Sequence, residues 1–180
     1  MSRIDETRDF LPVRIAVLTV SDTRTPADDK SGDTLVERLT GAGHTLGARA
    51  ITRDDRAAIA AQLRAWIADP AIDVILTTGG TGLTGRDVTV EAHRDVYEKE
   101  IEAFGTVFTI VSMQKIGTSA VQSRACAGVA GGTYLFALPG SPGACRDAWD
   151  EILKWQFDYR HRPCNFVEIL PRLEEHKRRK

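Results

Sequence analysis

Apolar and polar positions along the chain alternate between two rhythms. Arg14–Val20, RIAVLTV, is a continuous β-branched apolar run and predicts the first strand. A helix capped by Ser31 follows, with Leu35, Leu39 and Ala42 on its inner face. Thr45–Thr52 reads as a second, less apolar strand near a sheet edge. Asp54 and Asp55 then precede an amphipathic helix whose stripe is Ile59, Leu63, Trp66 and Ile67, ended by Asp69 and Pro70. Either aspartate can serve as its N-cap. Val74-Ile75-Leu76 form a third strand.

The next helix is predicted from Thr89 to about Phe104, with Val90, Tyr97, Ile101 and Phe104 inward and His93 and Arg94 solvated. Residues 105–117 suit a further helix better than a strand. Arg124–Val129 and Thr133–Leu138, joined by Gly131-Gly132, read as a hairpin whose second strand is central. A last long helix starts at Ser141 as N-cap and Pro142, and carries Ala148, Trp149, Ile152 and Trp155 inward. This alternation predicts an α/β fold: three layers, α/β/α, around a mostly parallel twisted sheet with one antiparallel hairpin. The expected organisation is a flexible segment over residues 1–12, one domain over 13–170 and a charged tail over 171–180.

Three polar loops leave carboxyl ends of predicted strands, which is where open α/β sheets place ligands. They start at Ser21-Asp22, at Thr78-Gly79 and at Pro139-Gly140-Ser141. The middle one is the most unusual. Four glycines fall among the seven residues Gly79 to Gly85, with threonine hydroxyls between them, and Arg86-Asp87 follow. Glycines between a strand and a helix let backbone N–H groups approach an anion. The letters Gly80 to Gly85 also fit GxGxxG. A dinucleotide site would then need a carboxylate closing the next strand, and the run Ser112-Met113-Gln114-Lys115 has none. No GK[ST] follows the glycines, so a P-loop is excluded. The Gly140-Ser141-Pro142-Gly143 run is not a GxSxG elbow, so a serine nucleophile is excluded too.

Composition narrows the partners. The chain has 180 residues, a net charge of −1, 42% hydrophobic and 27% charged residues, so no global field points to nucleic acid or anionic membrane. No apolar run approaches the roughly 20 residues of a membrane span. Cys126, Cys145 and Cys164 are widely spaced, which argues against a disulfide framework or a zinc site. A cytoplasmic protein is expected.

The stretches TTGGTGLTGRDVT, SDTR and ALPGSPGAC, with IGTSAVQSRACAGVAGG and RPCNF, make the chain resemble the MoaB/MogA family of molybdenum cofactor biosynthesis, over about Leu11 to Val167. The resemblance implies a homotrimer or homohexamer that binds molybdopterin. It also implies transfer of AMP from ATP to the pterin's terminal phosphate with Mg2+, or a non-catalytic scaffold role beside other proteins of that pathway. It assigns Asp54 and Asp87 to catalysis and metal binding, with Asp55 the alternative to Asp54. Ligand contacts would come from Ser21, Asp22, Thr78, Gly79, Gly80, Thr81, Gly82, Arg86, Pro139, Gly140 and Ser141, and Ser123 and Arg124 would lie near the pterin phosphate.

Overall fold

The strand runs that the pattern predicts line up in one sheet of the computed structural model, which describes residues 3–178. The strands are β1 (Arg3–Ile4), β2 (Arg14–Val20), β3 (Thr45–Thr52), β4 (Val74–Thr78), β5 (Lys99–Glu100), β6 (Cys126–Ala130), β7 (Thr133–Leu138) and β8 (His161–Arg162). The main sheet runs β3-β2-β4-β7-β6-β5. The first four strands are parallel, and β6 is antiparallel to both β7 and β5. β2, β4 and β7 are central and almost wholly buried, while β3 is the half-exposed edge expected from its weaker apolar content.

Register places the site. Val20 is level with Thr52, Thr19 with Thr78, and Thr78 with Leu138. Four parallel strands therefore end along one line, and the loops at Ser21, Arg53, Gly79 and Pro139 leave from the same edge.

Alternation along the strands feeds two cores. Ile15, Val17, Leu76 and Phe136 face the layer built by α1 (Lys30–Gly41), α4 (Glu102–Ile116) and α5 (Pro142–Ala148). Ala16, Leu18, Ile75 and Leu135 face α2 (Arg56–Ile67) and α3 (Thr89–Arg94). Phe136 is fully buried, with the rings of Phe104, Phe157 and Phe166 at 5.0, 5.6 and 5.8 Å. Its truncation to alanine costs about 3–5 kcal/mol at such sites.

Several elements depart from the pattern. The helix expected over 89–104 is two helices split by β5. Glu98 N–H and Ile101 N–H donate to the carbonyls of Val129 and Ala127, so this stretch extends the sheet. The Tyr97 ring lies against Gly128, where a Cβ would fall 2.4 Å from it; the missing side chain makes that seat. Tyr97, Ile101 and Phe104 are partly or fully buried from separate elements, so their helical spacing is coincidental. His93 is not solvated: it is fully buried, 2.9 Å from the Thr77 hydroxyl and 3.1 Å from the Tyr97 hydroxyl. Gly105 lies inside α4 rather than before it.

α1 is capped by Asp29, whose carboxylate accepts from Gly32 N–H at 3.0 Å, and Ser31 is its second residue. Ala42 is the exposed C-cap, not an inward position. After α5 a π turn over Trp149–Leu153 inserts a residue. Leu153 and Phe157 turn inward as a result, and Trp155 is only half-buried.

The segment expected to be flexible is anchored from Arg3 onward. β1 pairs with β8, and the Arg8 guanidinium stacks 4.5 Å over Tyr159 and bonds its carbonyl. In the tail, Glu175–Arg178 is a short helix with Arg172 paired to Glu175. Residues 1–2 and 179–180 lie outside the described residues.

Candidate functional site

The four loops enclose a cleft of about 230 Å³ at the carboxyl edge of the sheet. Ser21 and Arg24 come from the loop after β2, and Asp54 from the loop after β3. Gly79, Gly80, Arg86 and Asp87 come from the loop after β4, and Gly140 from the loop after β7. Thr78 closes the floor. Its hydroxyl bonds the Pro139 carbonyl at 3.0 Å and lies 3.2 Å from Cys145 Sγ, tying the loops after β4 and β7 together. The loops touch directly at Gly140, where a Cβ would stand 3.0 Å from the Gly79 Cα.

Two glycines here are strained by any side chain. Gly79 has φ +101°, and a Cβ on it would lie 2.3 Å from the Val20 carbonyl oxygen. Gly80 has φ +63°, and a Cβ would fall 2.5 Å from Asp54 Oδ1. The chain that follows is tied down through its carbonyls. Gly79 C=O accepts from the Thr89 hydroxyl at 2.8 Å and Gly80 C=O from Thr89 N–H at 2.9 Å. Thr81 and Gly82 C=O accept from Arg124 Nε at 2.9 and 3.0 Å. In a trans peptide the following N–H points opposite its C=O. The loop thus turns its acceptors into the protein and leaves donors on the other side, the arrangement an anion requires. The seat is smaller than four glycines suggest, because Gly79 N–H already donates to Leu138 C=O and Gly82 N–H to the Asp87 carboxylate.

The acidic residues separate into roles. Asp55 is exposed and caps α2 by accepting from Ala58 N–H at 2.7 Å, so Asp54 is the one that lines the cleft. Burial, and then the charge of Asp87, raises the Asp54 carboxyl above the usual aspartate range. Asp87 is lowered, first by the Thr84 hydroxyl at 2.6 Å, with Thr84 N–H at 2.9 Å adding to it. Asp22 accepts from Asp54 N–H at 3.3 Å and is ion-paired with Arg86, whose side chain is otherwise largely exposed.

Other expected residues fall outside the cleft. Thr81 is buried and Gly82 braces Asp87; they act through the loop. Arg124 spends its donors inside the protein, on Thr81, Gly82 and Asp87 carbonyls and on Glu91 at 2.5 Å. Ser123 lines a separate cleft of about 570 Å³ between α3, α4 and β6. Ser141 caps α5, accepting from Ala144 N–H at 3.1 Å. Ser21 does line the cleft, but its Oγ accepts from Thr23 and Arg24 N–H at 3.2 and 3.1 Å and shapes its own loop.

The sequence reading missed Arg24, Ser31 and the buried Asp29. Asp29 is fully buried; burial pulls its carboxyl upward, but Arg49, Thr19 and Gly32 N–H outweigh that and hold it low. The charges in Pro26–Gly32 were the signal, and a loop full of charge ordinarily reads as solvated.

Asp54 and Asp87 offer hard oxygen donors beside backbone donors, a set that fits a hydrated divalent cation shared with a phosphate. Among the described residues no group of three or more His, Cys, Asp or Glu is gathered for a metal, so such a cation would share its shell with substrate and water. Nor, among them, is any helix long and apolar enough to cross a membrane.

Residues 16–158 match the family model described as a probable molybdopterin binding domain. The chain is 51% identical over 158 residues to molybdenum cofactor biosynthesis protein B of Escherichia coli (strain K12), covering 88% of this chain and 93% of that one. Among solved structures it is similar to a crystal structure of molybdenum cofactor biosynthesis protein B, with a TM-score of 0.84 and 38% identity, over 93% of this chain and 99% of the other. It is also similar to the tungsten cofactor synthesizing protein MoaB from Pyrococcus furiosus, with a TM-score of 0.71 and 30% identity, over 93% and 98% of the two chains.

Proposed function

Since the chain belongs to the MoaB/MogA family of molybdenum cofactor biosynthesis proteins, we propose that it binds molybdopterin in the carboxyl-edge cleft and adenylylates its terminal phosphate with ATP. In this reaction an oxygen of the pterin phosphate forms a bond to the α-phosphorus of ATP. The bond from that phosphorus to the β-bridging oxygen breaks, and pyrophosphate leaves with the electron pair. A phosphate nucleophile is already ionised near neutral pH, so no general base is required. The work is positioning and charge neutralisation.

The observation that carries this reading is the pair of carboxylates beside the glycine loop. Two unit charges 4 Å apart repel by about 4 kcal/mol at an effective dielectric of 20. Carboxylates next to phosphates are useful only where a cation stands between them. Asp54 and Asp87 are the residues that would hold Mg2+, and when bound it would neutralise the polyphosphate. The Gly80 N–H would steady a non-bridging oxygen, and Asp22 would keep Arg86 folded across the mouth.

A second reading, a pterin-binding scaffold without catalysis, is favoured by one observation. The Asp87 carboxylate is already engaged by Thr84 and Gly82, as a loop latch would be. Incubation with molybdopterin, α-labelled ATP and Mg2+ separates the two. The proposed reaction gives labelled pterin and pyrophosphate, whereas a scaffold gives bound pterin and intact ATP. The family resemblance further suggests a homotrimer or homohexamer, which sedimentation would test.

A further inference from the structure

The cleft is polar in a second sense: its two walls differ in charge. α1 packs on α5 and α2 packs on α3, on opposite faces of the sheet. Asp54 leads into α2 and Asp87 stands just before α3, so both carboxylates belong to the second wall. Arg24, Ser31 and Gly140 belong to the first.

Arg24 is held in place from behind. Its Nη1 donates to the Ser31 hydroxyl at 3.0 Å, and Nη2 reaches the Gly140 carbonyl at 3.4 Å. Arg24 also makes a long ion pair, 3.9 Å, with the buried Asp29, whose closer partner is Arg49 at 2.9 Å. Arg86, the other arginine at the cleft, has its guanidinium on Asp22. Arg24 is therefore a half-buried guanidinium that lines the cleft and is held in place by two fixed acceptors.

We propose that Arg24, aimed by Ser31 and the Gly140 carbonyl, binds phosphoryl oxygens on the α1–α5 wall of the cleft, opposite the wall that carries Asp54 and Asp87. This deepens the adenylyl-transfer reading and rests on it for the identity of the ligand. A guanidinium suits the task because it presents several N–H donors in a fixed plane to phosphate oxygens. The oxygens it takes are those of the leaving pyrophosphate or of a phosphate monoester, which share this chemistry.

The test is calorimetric titration of the full-length protein with pyrophosphate and, separately, with phenyl phosphate, each with and without Mg2+. Arg24→Met weakens at least one of the two ligands about tenfold, and Arg24→Lys recovers part of the loss. Ser31→Ala, which keeps the charge but loosens its aim, weakens the same ligand two- to fivefold, on the order of one lost hydrogen bond. A loss confined to pyrophosphate assigns Arg24 to the leaving group, and a loss confined to phenyl phosphate assigns it to the nucleophile. Should Arg24→Met keep its thermal transition and bind both ligands as the parent does, the proposal is overturned. The same holds if Arg24→Met does not fold and Arg24→Lys and Ser31→Ala bind both ligands as the parent does. These affinities do not depend on turnover. A parent protein that binds pyrophosphate through Arg24 yet transfers no AMP would overturn the adenylyl-transfer reading and leave this subsite standing.

Discussion

Asp54 and Asp87 share one cleft, yet their carboxyl groups are displaced in opposite directions. Burial, then the Asp87 charge, makes Asp54 hold its proton more tightly; the Thr84 hydroxyl makes Asp87 release its own more readily. One acid is thus fixed as an anion and the other is left as the frustrated partner.

A pH dependence follows for Asp54. Its folded value lies above the usual 3.8, so its ionisation opposes folding once the pH exceeds that range. The opposition fades as the pH falls through the raised value. Asp54→Asn should therefore melt at or slightly above the parent's temperature at pH 7, with the difference gone near pH 4. Asp87 has the opposite sign: its stabilisation is present above 3.8 and is lost as the pH falls below it. Calorimetric melting of the parent, Asp54→Asn and Asp87→Asn at pH 3, pH 4 and pH 7 checks both, and a clear loss of stability in Asp54→Asn at pH 7 would contradict the account.

Gly79→Ala should damage the fold as well as the site. The left-handed φ alone costs about 1–3 kcal/mol, and the Val20 carbonyl blocks the Cβ outright. Gly85→Ala, in the same loop with nothing near its Cβ, should lie within about 1 kcal/mol of the parent. Urea denaturation of the two variants tests this, and equal midpoints would show that Gly79 carries no such constraint.

Arg124→Met should loosen the glycine loop from behind, from the side away from the cleft. It removes the donor shared by the Thr81 and Gly82 carbonyls and strands Glu91. Losing charge-assisted bonds of this kind costs about 1.5–3 kcal/mol. Hydrogen exchange should rise over residues 80–91 and stay unchanged in β2 and β7. Unaltered protection across 80–91 would mean that the loop holds its own shape.

The buried imidazoles set the stability on the acid side. His93 is pushed down to about 3 by burial, and His44 to about 4 by burial, against an ordinary 6.5. Below pH 6.5 the unfolded chain takes up protons that these folded imidazoles refuse, so stability falls with pH until their folded values are reached. Each contributes a slope of up to about 1.4 kcal/mol per pH unit. His93→Gln should flatten the dependence between pH 6 and pH 4.5 by about one proton. Denaturant titrations across that range measure it, and an unchanged slope would show that His93 is already protonated in the fold.

How much of this was legible beforehand depended on which interactions a residue obeys. Val74–Thr78 and Thr133–Leu138 are apolar on both faces, so their burial was readable, and with it the carboxyl edge where the loops gather. Gly79 and Gly80 announced themselves by type and spacing, and Asp87 through the family resemblance. Asp29 and His93 did not, because a carboxylate or imidazole reads as solvated until its partners are known. Thr19 and Arg49 meet Asp29 from β2 and β3, and Thr77 meets His93 from β4. The break at β5 was invisible for a related reason: it is set by the open edge of β6 and the bare surface of Gly128, not by a breaker within residues 95–101. Arg124 read as a ligand residue by resemblance, and its partners are the loop's own carbonyls.

The most direct test of the carboxylate pair is the rate of Mg2+-dependent pyrophosphate release from ATP in the presence of molybdopterin, measured for the parent and for Asp87→Asn. The account predicts release by the parent only with Mg2+, a loss of at least about a hundredfold in the variant, and pterin affinity within a few-fold of the parent. Normal turnover by Asp87→Asn, or no turnover by a parent that binds both ligands, would contradict it.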